Sequence, residues 1–543
     1  MLDVYRKSRG VARCYAVNIT MLLEVAACVA LGLFALLYRS CKRKMTFFKN
    51  LGIPGPKPHP IYGNLVELWK LGMLEATEKW ASQYGDITGY FDGYRPVIII
   101  RDPELLKQIF IKNSDSFSGR RQHVELSSGI PANDAKLSRL SGSEWRDLRT
   151  LISPAFNSNK FKRAFPILDE CTDEFLEIMD KTVLKHGEVD INQHFRRLST
   201  DILFRFTMDA RLDFQAASEQ TEYLLNIVKR AVRKPAFNWI MYSNVIPLWY
   251  CIKRLIVWLQ DSIMVRPTTT FHKRIAEMVR LRREQGPTGD EDLLQLMLNA
   301  EEQNDAETKP NRTNDSNGGD PSANLRELHT GPRMTPFATV ANAELFVIAG
   351  LETVNSALSF ATHLLAKHRD VQDKLRAEVK SLIEKDGSIT YDNIFSLRYL
   401  KQVIAESSRF YPAQPGNVTR RCVKDFEFNG FRIPKDTHVH VPVRLMHHDP
   451  RYWGDPEEFN PDRFSPEKRS KIEPMAYIPF GIGARNCPAS RFAEFELMVV
   501  IAKIVAKFKL HLSDQPEKTT INYDGPVILA LPEGGVWLRL EKI

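Results

Sequence analysis

The segment Phe480–Ala489, which reads FGIGARNCPA, leaves the chain few choices of local structure. Its two glycines predict a turn that leads into Cys487, and Pro488 follows at the predicted first turn of the last helix. A helix N-terminus presents unpaired N–H groups and a positive potential, and both stabilise a thiolate. A thiolate at this place can serve as a nucleophile, a zinc ligand or an iron ligand.

The sequence around Cys487 and the other cysteines of the chain help to decide among these three roles. A nucleophile needs a nearby base, and none lies beside this cysteine. The 7 cysteines are odd in number, scattered and never spaced as CxxC, which argues against a zinc ribbon and against a disulfide framework. Most of the others are expected to be small buried residues in a reducing compartment. A phosphate-binding loop is also disfavoured, because Asn486 stands where a third glycine is needed.

The hydrophobic periodicity of the body predicts one large, mostly helical domain with small sheets. A long helix is expected from Thr335 to about Lys367, with Thr335 as N-cap and Pro336 at its first position. At ~1.5 Å per residue it would span ~45–50 Å, enough to cross a whole domain. Two strands are expected within Ile87–Arg101 around a turn at Gly93, and short strands such as FEFNGFRI and HVHVPV follow Arg420.

Two stretches of the body differ from this pattern. Residues 301–332 are polar and rich in Asn, Asp, Gly and Pro, which predicts a flexible insert. Phe237–Leu259 is unusually aromatic and apolar. It fits a buried helix pair as well as a surface that dips into a membrane.

The N-terminus reads as a membrane anchor. Residues 1–20 form a basic extension, and Met21–Tyr38 is apolar apart from Glu24, close to the ~20 residues that a bilayer core requires. The alternative is a secretory signal peptide, but no small-residue cleavage site ends the run and a basic cluster follows it. Residues 39–60 are predicted to be a basic and proline-rich linker, stiffened by the alternating prolines of Ile53–Pro60. Whether translation starts at Met1 or Met21 stays open.

Composition limits the class of protein. The chain has 543 residues, of which 43% are apolar and 26% charged, as in ordinary globular proteins. These fractions exclude a disordered, collagen-like or polytopic membrane chain. The net charge of +9 fits docking to an acidic protein or an anionic membrane, and no nucleic acid is expected as a partner.

The segment that contains Cys487 also resembles the haem loop of the cytochromes P-450, whose pattern is Phe-x-x-Gly-x-Arg-x-Cys-x-Gly. The sequence departs from this pattern at Ala489, where the family usually has glycine. Further motifs match in the family's order over about 350 residues. They are Trp145-x-x-x-Arg149, Ala349–Thr353, Glu406-x-x-Arg409 and Pro461–Phe464. The hinge and body look most similar to the animal microsomal subgroup that handles drugs, steroids and other lipophilic molecules.

The resemblance implies a triangular helical body with the long central helix over a haem, behind a single N-terminal transmembrane helix. Residues 61–543 would form the haem monooxygenase domain. The implied cofactor is haem b (iron protoporphyrin IX) with O2 as co-substrate, and Cys487 would be the metal ligand. A thiolate ligand pushes electron density toward bound dioxygen and favours O–O cleavage.

The resemblance also assigns residues around the haem. By their positions, the cofactor-binding set is Arg120, Trp145, Arg149, Arg420, Phe480 and Arg485. The polar members resemble donors that hold the haem propionates by charge-assisted bonds. Arg121 and Arg421 are adjacent rivals of Arg120 and Arg420. Glu406, Arg409 and Arg463 are expected to form a structural network that supports the haem loop.

Glu352 and Thr353 are the predicted catalytic residues. They sit in the middle of an apolar helix, where a carboxylate is costly unless it faces a cavity or a partner. A threonine near Gly350 can divert a backbone hydrogen bond and open a groove for water. Together they form a candidate proton relay toward dioxygen.

The expected function is a monooxygenase that inserts one oxygen atom of O2 into a lipophilic small molecule. The substrate space should be lined by the Arg120–Arg139 loop, Phe237–Leu259, the Val347–Thr353 helix face and Ala413–Val418. Electrons would come from NADPH–cytochrome reductase, with cytochrome b5 as a helper, because one haem domain occupies the chain and no nucleotide-binding pattern is present. The expected location is the endoplasmic reticulum membrane, single-pass, with the haem domain cytosolic.

Two alternatives remain at this stage. One is a peroxide isomerase of the same fold that needs no external electrons, which the Glu352–Thr353 pair disfavours. The other is a haem-binding sensor or carrier. The substrate itself cannot be read from the sequence, because apolar walls with few polar guides discriminate weakly.

Overall fold

A computed structural model describes residues 24–120, 135–216, 218–232, 267–287, 292–308, 334–524 and 529–543. The predicted basic extension (residues 1–20), the aromatic segment Phe237–Leu259 and most of the insert lie outside the described residues.

The described part is mainly helical with small sheets, and the predicted fold class is confirmed. Its α-helices are 24–44, Phe47–Asn50, Leu65–Tyr84, Pro103–Lys107, Gly142–Ile152, Ser158–His186, Ile191–Met208, Glu219–Val232, Pro267–Gln285, Leu293–Thr308, Pro336–Lys367, Arg369–Asp386, Tyr391–Ile394, Arg398–Phe410, Val443–His447, Pro466–Arg469 and Ser490–Lys507. We name Pro336–Lys367 the central helix and Ser490–Lys507 the C-terminal helix.

The strands form four small sheets. In chain order they are β1 Ile87–Asp92, β2 Arg95–Ile100, β3 Glu188–Asp190, β4 Asn417–Arg421, β5 Phe426–Phe428, β6 Phe431–Ile433, β7 His438–Pro442, β8 Phe508–Leu512, β9 Asn522–Asp524, β10 Leu531–Glu533 and β11 Trp537–Lys542. The largest sheet has the order β1-β2-β7-β4, in which only β2 and β7 run parallel. The predicted hairpin at Gly93 is confirmed, and Gly93 has a φ of 66°.

The central helix has the predicted boundaries. The Thr335 hydroxyl accepts a hydrogen bond from the Ala338 N–H, and Pro336 occupies the first turn. Most of the helix is buried, and its second half packs with Phe195 and Phe495 in the largest hydrophobic core. The helix therefore passes through the middle of the body, where it can present side chains to an internal cavity.

The N-terminal helix runs over residues 24–44, beyond the predicted end of the anchor at Tyr38. The apolar side chains along it are exposed, whereas Cys41 and Met45 are buried against the body. The first part of the predicted linker is therefore helical, because basic residues favour helices and the buried pair fixes the end of the helix. The segment Glu24–Asn50 and the central helix are both long and apolar enough to span a membrane, but the central helix is mostly buried in the protein.

The predicted start of the flexible insert at residue 301 is wrong, because the preceding helix continues to Thr308. The Glu301 carboxylate lies 2.9 Å from Nη2 of Arg283 and accepts a hydrogen bond of 2.8 Å from the Thr339 hydroxyl. These buried contacts stabilise Glu301 in a helix, although the polar composition of this stretch predicts a loop.

Candidate active site

The loop before Cys487 is shaped by two glycines. Gly481 and Gly483 have φ values of 72° and 71°, in the left-handed region that favours glycine. At Gly483 an added Cβ would lie 2.1 Å from the carbonyl oxygen of Phe110, so a side chain has no room there. The loop closes with a hydrogen bond of 2.9 Å from the Cys487 N–H to the Phe480 carbonyl. The sequence pattern thus produces one tight turn that presents the cysteine.

Cys487 lies just before the C-terminal helix, as predicted. Pro488 was predicted in the first turn of that helix, and this is wrong, because Ala489 is the N-cap and Ser490 the first helical residue. Ala489 has a φ of −99°, so this backbone position does not require the glycine that is usual in the family.

Burial raises the pKa of the Cys487 thiol above its ordinary value. The Ala489 N–H, which donates a hydrogen bond to the sulfur, and the charges of Arg149 and Arg120 act in the opposite direction but do not outweigh burial. The helix N-terminus alone therefore does not make a free thiolate here. A bound cation would complete the stabilisation of the thiolate, since metal coordination deprotonates a thiol outright.

A cavity of about 900 Å³ opens above Cys487. Five arginines line it: the four predicted ones, Arg120, Arg149, Arg420 and Arg485, and in addition Arg139. Arg421 does not line this cavity, and its guanidinium lies 3.7 Å from Asp436. Arg121 lies outside the described residues. The structure therefore brings Arg420 and not its neighbour to the site.

Two of these arginines, Arg485 and Arg120, lack enough acceptors among the described residues. Arg485 is 6% exposed, and its Nη2 donates a 2.6 Å hydrogen bond to the Leu140 carbonyl, but its Nε and Nη1 have no partner within the described ranges. The Nε of Arg120 is likewise unpaired within these ranges. Burial, and then the charge of Arg120, lower the pKa of Arg485 to about 9. Unpaired buried donors of this kind fit the carboxylates of haem propionates.

The other predicted cofactor-binding residues border the same space. The Trp145 ring lies 4.3 Å from the Arg485 guanidinium, an arrangement that holds the arginine by a cation–π contact. Arg149 donates two hydrogen bonds of 3.1 Å to Asn486, the residue before Cys487. Phe480 lines the cavity at the start of the cysteine loop. Their roles toward the haem stay a prediction.

Arg420 is held differently. Its two terminal nitrogens donate to the carbonyls of Thr419 and Ile482, and its guanidinium lies 4.9 Å from the Phe110 ring. Burial and the neighbouring charges of Arg120 and Arg485 lower its pKa well below the ordinary value. A negatively charged ligand in the cavity would relieve this clustering of positive charge.

The two predicted catalytic residues face different surroundings. Thr353 lines the cavity, and its hydroxyl donates a hydrogen bond of 2.7 Å to the Ala349 carbonyl. Glu352 is 1% exposed and does not line the cavity; its carboxylate accepts hydrogen bonds of 3.1 and 3.4 Å from Arg196. The structure thus brings Thr353 to the site and turns Glu352 toward the helix Ile191–Met208. Sequence reasoning missed Arg196, since nothing in the local sequence links residues 156 positions apart.

Glu406, Arg409 and Arg463 form a buried network. Arg409 is fully buried and makes two hydrogen bonds of 2.8 and 2.9 Å to Glu406. Nε of Arg463 lies 3.4 Å from the same carboxylate. The predicted grouping of these three residues is present, and their role as a structural support stays a prediction.

The walls of the cavity match the predicted substrate-lining segments in part. Leu137–Ser141, Ala349–Gly350 with Thr353, and Ala413 with Val418 line it, while Phe237–Leu259 lies outside the described residues. The helix Ile191–Met208 contributes a face that the sequence analysis missed. Its lining residues are Ser199, Leu203, Phe206 and Thr207. The helical spacing of Ser199, Leu203 and Thr207 is a weak signal that any buried helix also shows.

Among the described residues, no group of three or more His, Cys, Asp or Glu side chains could hold a metal ion. A single cysteine in a large cavity, beside guanidinium nitrogens that have no partner among the described residues, suits a metal that brings its own planar ligand. These residues fit a haem held by a cysteine thiolate.

Comparison with known proteins agrees with this class. The pattern of the family described as Cytochrome P450 matches residues 53–538. Mouse cytochrome P450 3A11 is 31% identical over 504 residues, which cover 92% of this chain and 92% of that protein. Mouse cytochrome P450 3A41 is 32% identical over 487 residues, 88% and 89% of the two chains. Rat cytochrome P450 3A9 is 31% identical over 487 residues, 89% and 90% of the two chains. The chain belongs to the cytochrome P450 family, and the protein is a monooxygenase that uses haem and O2 with electrons from NADPH supplied through a reductase.

Proposed function

We propose that this P450 inserts one oxygen atom of O2 into a lipophilic small molecule and draws its electrons from a flavoprotein, NADPH–cytochrome reductase, with cytochrome b5 as an additional donor. In the overall reaction the substrate R–H, O2, two electrons and two protons give R–OH and water. The observation that carries the proposal is the cavity of about 900 Å³, which is lined by Cys487 and by apolar side chains such as Leu137 and Phe346.

Some of the site residues would hold the cofactor, and others would deliver protons. Cys487 would ligate the iron, and Arg485 and Arg120 would bind propionates with the donors that are unpaired among the described residues. The haem supplies the activation of dioxygen when it is bound. The Thr353 hydroxyl, on the cavity side of the central helix, would hold a water from which protons reach the reacting oxygen.

Glu352 would feed protons to Thr353 from the other side of the helix. Its carboxylate is bound by Arg196, which is only 13% exposed, so the pair lies at the edge of the buried region. A relay through Glu352 requires the carboxylate to exchange Arg196 for water. We therefore assign Thr353 the direct role and Glu352 the supply of protons.

Replacing Thr353 by alanine is expected to lower the ratio of product formed to NADPH consumed by about tenfold or more, because a positioned proton donor contributes ~10²–10⁴-fold to a proton-transfer step. The ferrous CO spectrum should stay unchanged, since Thr353 does not touch Cys487. Product and NADPH are measured in the same reconstituted reaction. Thr362→Ala is the control, because the Thr362 hydroxyl makes the same kind of backbone contact, at 2.8 Å to the Leu358 carbonyl, nine residues further along the helix and outside the lining of the cavity. Equal coupling in Thr353→Ala and wild type would reject the assignment.

The proposed location is the endoplasmic reticulum membrane, with the N-terminal helix as a single span and the haem domain in the cytosol. Within Glu24–Asn50, the most apolar window of 18 residues has a mean hydropathy of 1.6 and is almost entirely unburied. Side chains such as Leu31 and Leu36 are each 67% exposed, which is costly in water and favourable in lipid. The basic residues on its C-terminal side favour a cytosolic position of the body.

The decisive test is the absorption spectrum of the dithionite-reduced, CO-treated protein. A thiolate-ligated haem gives a strongly red-shifted Soret band, and imidazole ligation does not. We expect the red-shifted band, followed by product formation from a lipophilic panel when NADPH–cytochrome reductase is added. A red-shifted band without any product, despite normal reduction by the reductase, would instead favour a sensor or carrier. Turnover of a lipid hydroperoxide without reductase would favour the peroxide isomerase.

A further inference from the structure

A buried cluster on the central helix lies outside the machinery described above. Glu344 is 4% exposed and sits nine residues before Thr353. One carboxylate oxygen lies 3.1 Å from Nζ of Lys136, and the other lies 2.9 Å from Nδ1 of His272. One side chain therefore joins three parts of the chain: the central helix, the helix Pro267–Gln285 and the segment 135–141.

The cluster is charged and internally paired. Burial alone would raise the pKa of Glu344, but the hydrogen bond from His272 and the charge of Lys136 outweigh it and hold the pKa below its ordinary value. Lys136 itself is 9% exposed. A buried lysine is costly unless it is paired, so Glu344 fixes the position of Lys136.

Asn342 holds the same segment by its backbone. Its side-chain oxygen accepts a hydrogen bond of 2.8 Å from the Leu137 N–H, and its amide nitrogen donates to the Ala135 carbonyl at 3.0 Å. Asn342 is fully buried. The central helix thus clips residues 135–137 by two backbone contacts and one ion pair.

The other end of the segment is held by the cysteine loop. Residues 136–140 form a turn, in which the Arg139 N–H donates to the Lys136 carbonyl at 2.8 Å. The Leu140 carbonyl then accepts the 2.6 Å hydrogen bond from Arg485. Between these two anchors, residues 137–141 line the cavity, next to Leu345 and Phe346 of the central helix.

We infer that Glu344 and Asn342 are positioning residues that fix residues 135–141 as a wall of the substrate cavity and so set the affinity for bulky lipophilic ligands. The inference rests on the proposed function, in which this cavity receives the substrate. Its physical basis is preorganisation: a wall held in its bound conformation costs less entropy when a large ligand packs against it. A small ligand that reaches only the iron should not sense the wall.

The test compares two ligands that carry the same iron-binding imidazole, namely imidazole itself and clotrimazole, which adds a bulky triphenylmethyl group. Each is titrated into the ferric protein, and the Kd is read from the shift of the Soret band. Glu344→Gln is expected to raise the Kd for clotrimazole by about fivefold or more, equivalent to ~1 kcal/mol. The Kd for imidazole should stay within about twofold of wild type.

Glu301→Gln is the matched control. Glu301 is also a buried carboxylate, but its partners are Arg283 and the Thr339 hydroxyl of the central helix instead of a residue of the segment 135–141. It should leave both Kd values unchanged. Asn342→Leu, which removes the two backbone contacts at similar volume, provides a second variant if Glu344→Gln does not fold.

The outcomes separate this inference from the proposed function. A clotrimazole Kd that stays within about twofold of wild type, or falls, in a folded variant overturns the role of the wall. An equal increase in the Kd of both ligands also overturns the role of the wall, since the substitution would then act on binding at the iron. The absence of a red-shifted CO band in the wild type would instead reject the proposed function, whatever the two ligands do.

Discussion

Serine in place of Cys487 is expected to remove the red-shifted CO band and to abolish reductase-supported oxygenation. The hydroxyl of serine keeps its proton at neutral pH and cannot replace the electron donation of a thiolate. The change should leave the loop folded, because the hydrogen bond from residue 487 to the Phe480 carbonyl is a backbone contact. The CO spectrum, haem content and product formation are measured on the same preparation.

Cys422→Ser is the matched control for this prediction. Cys422 is buried, and its thiol donates a hydrogen bond of 2.8 Å to the Lys424 carbonyl. Burial raises the pKa of this thiol to about 11, so it stays neutral and does not suit a metal. The control should keep its red-shifted band and its activity. If Cys487→Ser also kept the band, another residue would be the iron ligand and the site would have to be reassigned.

Local sequence signals predicted the elements that frame the site. The start of the central helix follows from Thr335 and Pro336, since a cap and a proline act within one turn. The turn at Gly93 follows in the same way from one glycine, whereas Pro488 was wrongly expected in the first turn of the C-terminal helix, which begins at Ser490. These features depend on neighbours in the chain, so they can be read without the rest of the fold.

Contacts between distant segments could not be read in this way. The Arg196–Glu352 pair and the bond from Arg485 to Leu140 join residues that are 156 and 345 positions apart. The helix that continues to Thr308 depends on the buried pairing of Glu301 with Arg283. In each case the position of a polar residue is determined by a partner that lies near it only in the folded chain. The family resemblance supplied four of the five cavity arginines, whereas the sequence had no signal for the Glu344 cluster.

A second substitution with a large expected effect lies in the cysteine loop, at a residue that does not line the cavity. Replacing Gly483 by alanine is expected to prevent recovery of folded haem protein. Its positive φ costs a non-glycine residue ~1–2 kcal/mol, and the added Cβ would also meet the Phe110 carbonyl oxygen at 2.1 Å. Because the obstacle is backbone, it cannot turn away as a side chain would. The loop or the segment Gln108–Lys112 must shift, and either movement disturbs the support of Cys487 or Arg420.

Gly430→Ala is a control that distinguishes the effect of a steric clash from the effect of backbone strain. Gly430 lies between β5 and β6 with a φ of 77°, and an added Cβ would have no atom within 4 Å. This control therefore has the backbone strain of Gly483→Ala without the collision. The yield of protein with the red-shifted CO band and the temperature at which that band is lost are compared for both variants. Gly430→Ala should lose a few degrees at most, because ~1 kcal/mol shifts the midpoint of a large domain by only ~2–4 °C. If both variants lost the same yield and thermal stability, the close approach of Gly483 to Phe110 would not be what requires a glycine. The positive φ of residue 483 alone would then explain why glycine occupies this position.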